Sequence, residues 1–406
     1  MFPLDLRREC LAALRLADPR VEKVRIEQMK GGLLQDSYEW VLKHDSFVHW
    51  YNDQNTRLLW IKGDAGKGKT MLLCGIIDQL QHLIQASNAK SEHRVLLSYF
   101  FCQWHDVRLN GATAILRGLI YLLLCQQPSL ESHVLEKFSH AGSGLFNDAH
   151  AHYPLFEVLF NMLRDPLAKG CFLIVDALDE CEHHLPQFLS FVAECVSKID
   201  GVKWIVSSRN RHEIQKILRP IQPGIMLSLE SNSKNVYQAV GLYIRHKVSH
   251  LDTISGDRKK QQELLDKIHE RADGTFLWAA AVVAEIQKAT PWNVFKALDQ
   301  RPPNLHLAGQ RMRDQIQGLE YMERELCRRI LSATAGARYP PHITEIGPMA
   351  RLPEGISSTP SHVEYLVISC GSFLTIRDDR VHLIHWSLRD YLCDYLAELT
   401  RMATRG

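Results

Sequence analysis

A glycine-rich octapeptide between an apolar run and a helix-like stretch constrains this chain more than any other feature. The apolar run is 58–61 and the helix-like stretch is 71–77, which gives the order strand, loop, helix. The octapeptide fits G-x-x-x-x-G-K-[ST] and consists of Gly63, Asp64, Ala65, Gly66, Lys67, Gly68, Lys69 and Thr70. It predicts a phosphate-binding loop in an α/β domain. The alternative, a solvated turn of glycine and lysine, requires neither the strand nor the helix.

The residue types of the octapeptide suit a bound nucleotide. Glycines let successive backbone N–H groups turn toward phosphate oxygens, with the positive end of the following helix behind them. Lys69 is then expected to reach the β- and γ-phosphates, and the Thr70 hydroxyl to ligate Mg²⁺. All eight residues are therefore candidate ligands of a nucleotide, ATP or GTP. ATP is preferred, although no residue reads the base.

A second element supplies acidic residues. The continuous apolar run 171–175 ends in Asp176, and Asp179 and Glu180 follow shortly after. Such a run is typical of a buried parallel strand, and ligands of α/β sheets bind at the carboxyl ends of the strands. Asp176 is expected to hold Mg²⁺ through its waters, and Glu180, with Asp179 beside it, to polarise an attacking water. The alternative is that these acids cap the next helix, a role that does not exclude catalysis.

A third apolar run, 202–206, ends in Ser207, Ser208 and Arg209. A guanidinium at this edge of a sheet can bind the γ-phosphate with two hydrogen bonds and report whether that phosphate is present. Arg209 therefore joins Glu180 and Asp179 as a candidate catalytic residue. An ordinary ion pair at the start of the next helix is the alternative for Arg209.

Composition limits the other classes of function. The chain has 406 residues, of which 46% are hydrophobic, and its net charge is +2 without a long run of either sign. These values fit two or three globular domains and give no electrostatic indication of a nucleic-acid partner. The ten cysteines form no C-x-x-C pair, the start has no apolar signal core, and the apolar stretches are too short to span a bilayer. We therefore expect a cytoplasmic protein with no membrane span.

The order of patterns along the chain predicts four regions. A helical, amphipathic lead-in is expected over 1–50, interrupted at Asp18-Pro19 and Gly31-Gly32. Strands and helices alternate over 51–230, which predicts a parallel sheet with helices on both faces. A strand at 95–101 comes between the loop-bearing and acid-bearing strands in sequence, which favours an NTPase whose water is activated by a carboxylate. A helical domain is expected over 231–310 and a winged-helix-like domain over 311–406.

The winged-helix prediction depends on helices followed by a short β-pair. The two strands are expected at 373–376 and 381–384, with a turn over 377–380 between them. The helical patterns of the second half of the chain lie at 236–248, 261–271, 276–286, 311–335 and 361–369.

Taken together, the octapeptide, the acidic box and the Ser-Ser-Arg end resemble the NACHT domain of STAND-class P-loop NTPases. The form resembled is that of fungal NLR-like proteins and nephrocystin-3-like N-terminal modules, and it covers most of the chain. The segments 25–34 and 274–278 resemble the lead-in and the first helical-domain segment of that group. The resemblance implies a switch with slow NTP hydrolysis. A closed NDP-bound monomer would exchange to Mg·NTP, open and self-associate, as in NLR-like innate immunity or heterokaryon incompatibility.

The resemblance extends to His385, Trp386 and Ser387, which are similar to a winged-helix motif whose histidine touches the β-phosphate of ADP. It therefore implies that His385 binds the nucleotide as a closed-state latch; the alternative is a buried histidine that caps the next helix. Fungal relatives carry an effector domain before this region and WD40 or ankyrin repeats after it. Neither is present in this sequence, so effector or sensor proteins acting in trans are expected partners, unless the chain is a truncated relative or a gene-model fragment.

Two other classes of function stay open at this point. A signalling scaffold could bind nucleotide only as a structural element, but Glu180 and Arg209 argue against that class. A P-loop kinase or helicase is disfavoured because neither an acceptor site nor a basic groove is apparent.

Overall fold

The computed structural model describes residues 2–89, 94–104, 106–250, 258–290, 293–299, 316–337, 339–370, 373–383, 389 and 391–392. The chain forms two compact units. The first contains Met1–Lys62, Lys69–Arg209 and Glu213–Ser228, and the second contains Gly63–Gly68, Asn210–His212 and Leu229–Gly406. Within the described ranges, we find no helix that is both long enough and apolar enough to cross a membrane.

A parallel sheet forms the centre of the first unit. In the described part of the chain its strands are β1 (Leu58–Lys62), β2 (Leu96–Phe101), β3 (Cys171–Asp176), β4 (Val202–Ser208) and β5 (Gly224–Ser228). Their order across the sheet is β2-β3-β4-β1-β5. The first four strands are mostly or entirely buried, because their apolar runs have no polar face to present to water. The predicted α/β fold is confirmed, and β4 separates the loop-bearing β1 from the acid-bearing β3.

Helices surround this sheet. They are α1 (Leu4–Leu14), α2 (Pro19–Met29), α3 (Gln35–Leu42), α4 (Asp45–Asn52), α5 (Lys69–Asn88), α6 (Ala112–Gln126), α7 (Ser132–Ala141), α8 (Gly144–Asn147), α9 (His152–Arg164), α10 (Leu185–Lys198) and α11 (His212–Leu218). The expected interruptions of the lead-in are present. Asp18 caps α2 by accepting a hydrogen bond from the backbone N–H of Arg20, and Gly31 and Gly32 have φ values of 84° and 93°.

The lead-in helices pack directly on α5, the helix that follows the glycine-rich loop. Lys23 of α2 is buried, and its Nζ lies 2.6 Å from Oδ1 of Asp78 in α5. A Cβ atom added at Gly75 of α5 would lie only 2.3 Å from the ring of Tyr38 in α3. The lead-in therefore belongs to the same compact unit as the sheet.

Side-chain amides cover the outer edge of β2. The Asn88 amide bonds both backbone groups of Val95, with distances of 2.8 Å to its N–H and 3.1 Å to its C=O. Gln126 does the same at Leu97, with distances of 3.0 Å and 2.7 Å. These two amides take the place of a neighbouring strand and reduce the tendency of an edge strand to pair with another chain.

The second unit is mainly helical in its described part. Its helices are α12 (Ser233–Ser249), α13 (Arg258–Ala272), α14 (Phe276–Lys288), α15 (Val294–Asp299), α16 (Tyr321–Gly336), α17 (Ile343–Met349), α18 (Glu354–Ser357) and α19 (Pro360–Ser369). The expected hairpin is present as β6 (Leu374–Arg377) and β7 (Arg380–Leu383). Its turn is tighter than predicted: Asp378 and Asp379 have φ values of 48° and 57°, as a two-residue type I′ turn requires.

The helix predicted over 311–335 is not continuous: residues 316 and 317 are helical, and a break over 318–320 separates them from the next helix. The structure begins α16 at Tyr321, because Glu320 is extended, with ψ of 153°, and Gly318 lies in a turn before it. Residues 311–315 lie outside the described ranges.

Candidate functional site

The glycine-rich loop Gly63–Gly68 runs from the end of β1 to the first residue of α5. Gly66 and Gly68 have φ values of 77° and 89°, which side chains with a Cβ rarely adopt, so these two positions need glycine. Near the start of the loop, the backbone N–H of Asp64 donates to Oε1 of Glu230 at 2.7 Å. The strand, loop and helix order predicted from the octapeptide is therefore present.

The loop is in close contact with the segment that begins α14. The backbone N–H of Phe276 donates to the carbonyl of Gly66 at 2.9 Å. The Lys67 side chain is only 6% exposed, and its Nζ donates to the carbonyl of Gly274 at 3.0 Å. A Cβ atom added at Gly68 would lie 2.9 Å from the ring of Phe276. The ammonium of Lys67 is thus directed at a protein carbonyl, while its predicted role as a nucleotide ligand stays a prediction.

Asp176 lies at the carboxyl end of β3 and is held by the neighbouring strand. The β3–β4 register pairs Val175 with Val206, so Asp176 and Ser207 follow side by side. The Ser207 hydroxyl donates to Oδ1 of Asp176 and accepts a hydrogen bond from the backbone N–H of Ala177 at 2.9 Å. Because Asp176 is 2% exposed and Ser207 is fully buried, this hydroxyl fixes the orientation of the carboxylate.

Ser207 belongs to β4, which lies between the loop-bearing strand β1 and the acid-bearing strand β3. The register pairs Ser207 with Ile61 of β1 on the side away from β3. The ends of β1 and β3 are therefore two strand spacings apart, about 10 Å. Ser207 belongs to the third sequence element, but its role as the partner of Asp176 was not predicted. The signal was present as a hydroxyl directly after an apolar strand.

Asp179 and Arg209 form a two-point contact. The backbone N–H of Arg209 donates to Oδ1 of Asp179 at 2.8 Å, and Nε lies 3.0 Å from Oδ2. Helix α11 begins only at His212, and the partner of the arginine comes from the acidic box that follows β3. The ion pair considered for Arg209 thus exists, but it is not an ion pair at a helix start.

Glu180 lies in a short 3₁₀ turn, Leu178–Glu180, and its side chain is 25% exposed. Its Oε2 accepts a hydrogen bond from the backbone N–H of Trp104 at 3.3 Å, and its Oε1 lies 3.9 Å from the Arg209 guanidinium. Burial and the nearby charge of Asp179 raise the pKa of this carboxyl, although Arg209 and the Trp104 N–H act in the opposite direction. A raised pKa is what a general base working near neutral pH requires. No sequence signal had identified Trp104.

The acids do not cap the next α-helix. Helix α10 begins at Leu185, and His184 occupies its N-cap position without a side-chain hydrogen bond to the helix. The capping alternative for Asp176, Asp179 and Glu180 is therefore wrong.

The residues present fit a magnesium nucleotide. A phosphate-binding loop needs glycines in left-handed conformations, and Gly66 and Gly68 provide them. Mg²⁺ prefers hard oxygen ligands, and the Thr70 hydroxyl and the Asp176 carboxylate are such donors. His385 lies outside the described residues. The predicted roles of all these side chains stay predictions.

Comparisons with known proteins agree with this geometry. The family model for the N-terminal region of nephrocystin 3 matches residues 36–209. The vegetative incompatibility protein HET-E-1 of Podospora anserina is 42% identical over 386 residues, which are 94% of this chain and 28% of that protein. The chain thus spans just over a quarter of the length of this relative.

Solved structures share the fold at low sequence identity. The ORC2 protein of Aeropyrum pernix, solved as ADPNP–ADP complexes, has a TM-score of 0.50 at 12% identity, covering 91% of this chain and 94% of that one. The Walker-type ATPase PABY2304 of Pyrococcus abyssi has a TM-score of 0.53 at 11% identity, covering 88% and 94%. The protein is similar to HET-E-1 over nearly its whole chain, and this similarity and the nephrocystin 3 match agree with the resemblance to fungal NACHT-domain, NLR-like proteins, while the solved structures share a P-loop NTPase fold.

Proposed function

We propose that this chain is a nucleotide-binding molecular switch that binds Mg·ATP or Mg·GTP and hydrolyses it slowly. The observation that carries the proposal is the row of strand ends formed by β1, β4 and β3. In this row Ser207 lies beside Ile61 on one side and orients the buried carboxylate of Asp176 on the other. A P-loop at the end of one strand and an acid two strands away suit the two ends of a magnesium-bound triphosphate.

Each binding residue has a separate task in this proposal. The backbone N–H groups of Gly63–Gly68 and the positive end of α5 bind phosphate oxygens. Lys69 neutralises the β- and γ-phosphates, and the Thr70 hydroxyl and Asp176 hold Mg²⁺, Asp176 through water. When bound, Mg²⁺ supplies positive charge that stabilises the phosphoryl oxygens during transfer. The hydroxyl of Ser207 fixes the orientation of the Asp176 carboxylate, which would hold the metal.

Glu180 is the proposed general base. It takes a proton from water while the water oxygen bonds to the γ-phosphorus and the bond to the β–γ bridging oxygen breaks, which leaves NDP and inorganic phosphate. Its raised pKa makes it a stronger base than an ordinary glutamate. Arg209 is the proposed γ-phosphate sensor, and Asp179 positions it through the contact at 3.0 Å.

The resemblance to NACHT-domain, NLR-like proteins supports the following switch cycle. The NDP-bound chain is a closed monomer, with His385 of the winged-helix-like domain on the β-phosphate. Exchange to Mg·NTP opens the domains 51–230, 231–310 and 311–406 relative to one another and permits self-association, after which hydrolysis resets the cycle. Effector or sensor proteins are the proposed partners, and neither nucleic acid nor a membrane span has a role.

The nucleotide that copurifies with the protein tests this proposal. The purified chain should release ADP or GDP in about equimolar amount on denaturation, as identified by mass spectrometry. Added Mg·ATP or Mg·GTP should then be hydrolysed slowly. Tight binding without any turnover would replace the switch by a scaffold that binds nucleotide as a structural element. No copurifying nucleotide and no binding of either triphosphate would overturn the proposal.

A further inference from the structure

Lys67 is a buried lysine in the glycine-rich loop, whereas Lys69 is only partly buried. Lys67 is 6% exposed, and its Nζ lies 3.0 Å from the carbonyl oxygen of Gly274. Burial of an ammonium is costly unless the charge is hydrogen-bonded, so the carbonyl of Gly274 is part of what holds this side chain in place. A lysine whose only role was to bind phosphate would have no need of this partner.

The same turn also holds the loop through its backbone. Phe276 is the first residue of α14, and Thr275 at the N-cap position makes no side-chain hydrogen bond to the helix. The first N–H groups of a helix have no partner within the helix. The carbonyl of Gly66 satisfies one of them by accepting from the Phe276 N–H at 2.9 Å. The carbonyl of Gly66 thus caps one of the N-terminal N–H groups of α14.

The contact surface between loop and helix is closely packed. A Cβ atom at Gly66 would lie 2.8 Å from Cβ of Leu277, and one at Gly68 would lie 2.9 Å from the ring of Phe276. Both distances are too short for real carbon contacts, so not even a methyl group fits between the two segments. In closely packed regions a displacement of one partner is transmitted to the other.

We propose that Lys67 is a positioning residue that couples the glycine-rich loop to the start of α14. Phosphates bound by the loop fix its backbone, and the Lys67–Gly274 and Gly66–Phe276 hydrogen bonds carry that restraint into α14. The stability of the first turn of α14 therefore depends on whether a nucleotide occupies the loop. This inference rests on the proposed function only in the identity of the occupant, a nucleotide, because the two hydrogen bonds that carry the coupling join residues of this chain.

Hydrogen–deuterium exchange of the full chain tests the coupling in two arms. In the ligand-free arm, Lys67→Met should speed exchange of the first-turn amides of α14 about tenfold, the effect of losing one charge-assisted hydrogen bond. In the second arm, at saturating Mg·ATP, α14 of the wild type should exchange more slowly than without nucleotide, and Lys67→Met should lose this slowing. Lys67→Arg, which keeps a charged donor, should restore much of the wild-type behaviour in both arms.

Lys62→Met is the matched control. Lys62 ends β1 directly before the loop, and its Nζ lies 6.0 Å from the ring centroid of Trp60. It should leave the exchange of α14 unchanged, and Lys67→Gln serves as a second variant if Lys67→Met does not fold. Wild-type exchange of α14 in Lys67→Met or Lys67→Gln without nucleotide, or an undiminished effect of Mg·ATP on these two variants, would overturn the inference. If the wild type does not bind ATP, the second arm is run with Mg·GTP; failure to bind either triphosphate would overturn the proposed function instead, and the arm without nucleotide would still decide the coupling.

Discussion

Two groups of Arg209, its side-chain Nε and its backbone N–H, contact the carboxylate of Asp179. Nε lies 3.0 Å from Oδ2, and the backbone N–H donates to Oδ1 at 2.8 Å. The Asp179 side chain is 2% exposed and that of Arg209 is 23% exposed, so the stem of the arginine is fixed while part of its guanidinium remains accessible. The contact links the end of β4 to the acidic box after β3. It gives Asp179 the role of a support for the arginine and leaves Glu180 as the proposed base.

Arg209→Ala is expected to weaken NTP binding more than NDP binding, because the proposed partner of the guanidinium exists only on the γ-phosphate. One charge-assisted hydrogen bond contributes about 1.5–3 kcal/mol, so the loss for NTP is roughly 10- to 150-fold. Isothermal titration with both nucleotides measures it. Arg209→Lys is the matched variant, since an ammonium keeps the charge but cannot form two parallel bonds. Equal losses for NTP and NDP would make Arg209 a purely structural partner of Asp179.

Ser207→Ala is expected to reduce the Mg²⁺ dependence of nucleotide binding and to lower the free energy of unfolding by about 1–3 kcal/mol, because it leaves buried polar groups without their partner. Ser208→Ala is the control. Its hydroxyl accepts from Nε1 of Trp60 at 2.9 Å and is equally buried, so its loss should cost similar stability. Nucleotide titrations with and without Mg²⁺ distinguish the two variants, because only Ser207→Ala should show a reduced response to Mg²⁺. The role given to Ser207 is wrong if both variants keep the wild-type response to Mg²⁺.

Glu180→Gln is expected to abolish turnover and to raise thermal stability at pH 7.5. The pKa of Glu180 is raised in the folded protein, chiefly by burial. Between the unfolded and folded pKa values the folded chain holds more protons, so the free energy of unfolding falls as pH rises. Above both values the carboxylate destabilises the fold, and the amide removes that cost. The advantage of the variant should shrink as the pH is lowered through the folded pKa. A variant that is less stable than the wild type at pH 7.5 would contradict this.

A buried histidine should also make the stability of the protein depend on pH. His152 at the start of α9 is 1% exposed, and its ring stacks on His184 at a centroid distance of 3.9 Å. Burial, and then the charges of His184 and His150, lower the pKa of His152 below its ordinary value of 6.5. Below about that pH the unfolded chain binds a proton that the folded chain does not, so stability is lost on acidification.

His152→Phe should therefore reduce the loss of stability between pH 7.5 and 5.5, as measured by chemical denaturation. The exposed residue His140 offers a matched variant, His140→Phe, which should leave the wild-type pH dependence in place. If His152→Phe shows the same pH dependence as the wild type, protonation of other groups governs the acid sensitivity.

The parts of the site that sequence predicts are those encoded by local pattern. The strands that end in Lys62, Asp176 and Ser208 are five to seven residues long, and each is mostly apolar before a polar end, which is typical of a short buried strand next to turn residues. The glycines at positions 66 and 68 mark the loop because few other residues adopt their φ angles.

Contacts between distant parts of the chain carry no such local signal. The hydrogen bond from Lys67 to Gly274 joins residues 207 positions apart, and nothing near either residue indicates it. Helices α7 and α9, between α6 and β3, were not assigned from sequence. Both are short and amphipathic, and tertiary packing rather than a strong cap defines them, since neither has a side-chain hydrogen bond at its N-cap.

Nucleotide binding by Lys69 is the central claim, and a titration of Mg·ATP and Mg·GTP into the wild type and Lys69→Ala tests it most directly. Lys69 begins α5, where its charge adds to the positive end of the helix. The wild type should bind at least one of the two nucleotides, and folded Lys69→Ala should bind neither at the concentrations used, while Lys62→Ala binds as the wild type does. Near-equal affinity of folded Lys69→Ala and the wild type would contradict the account.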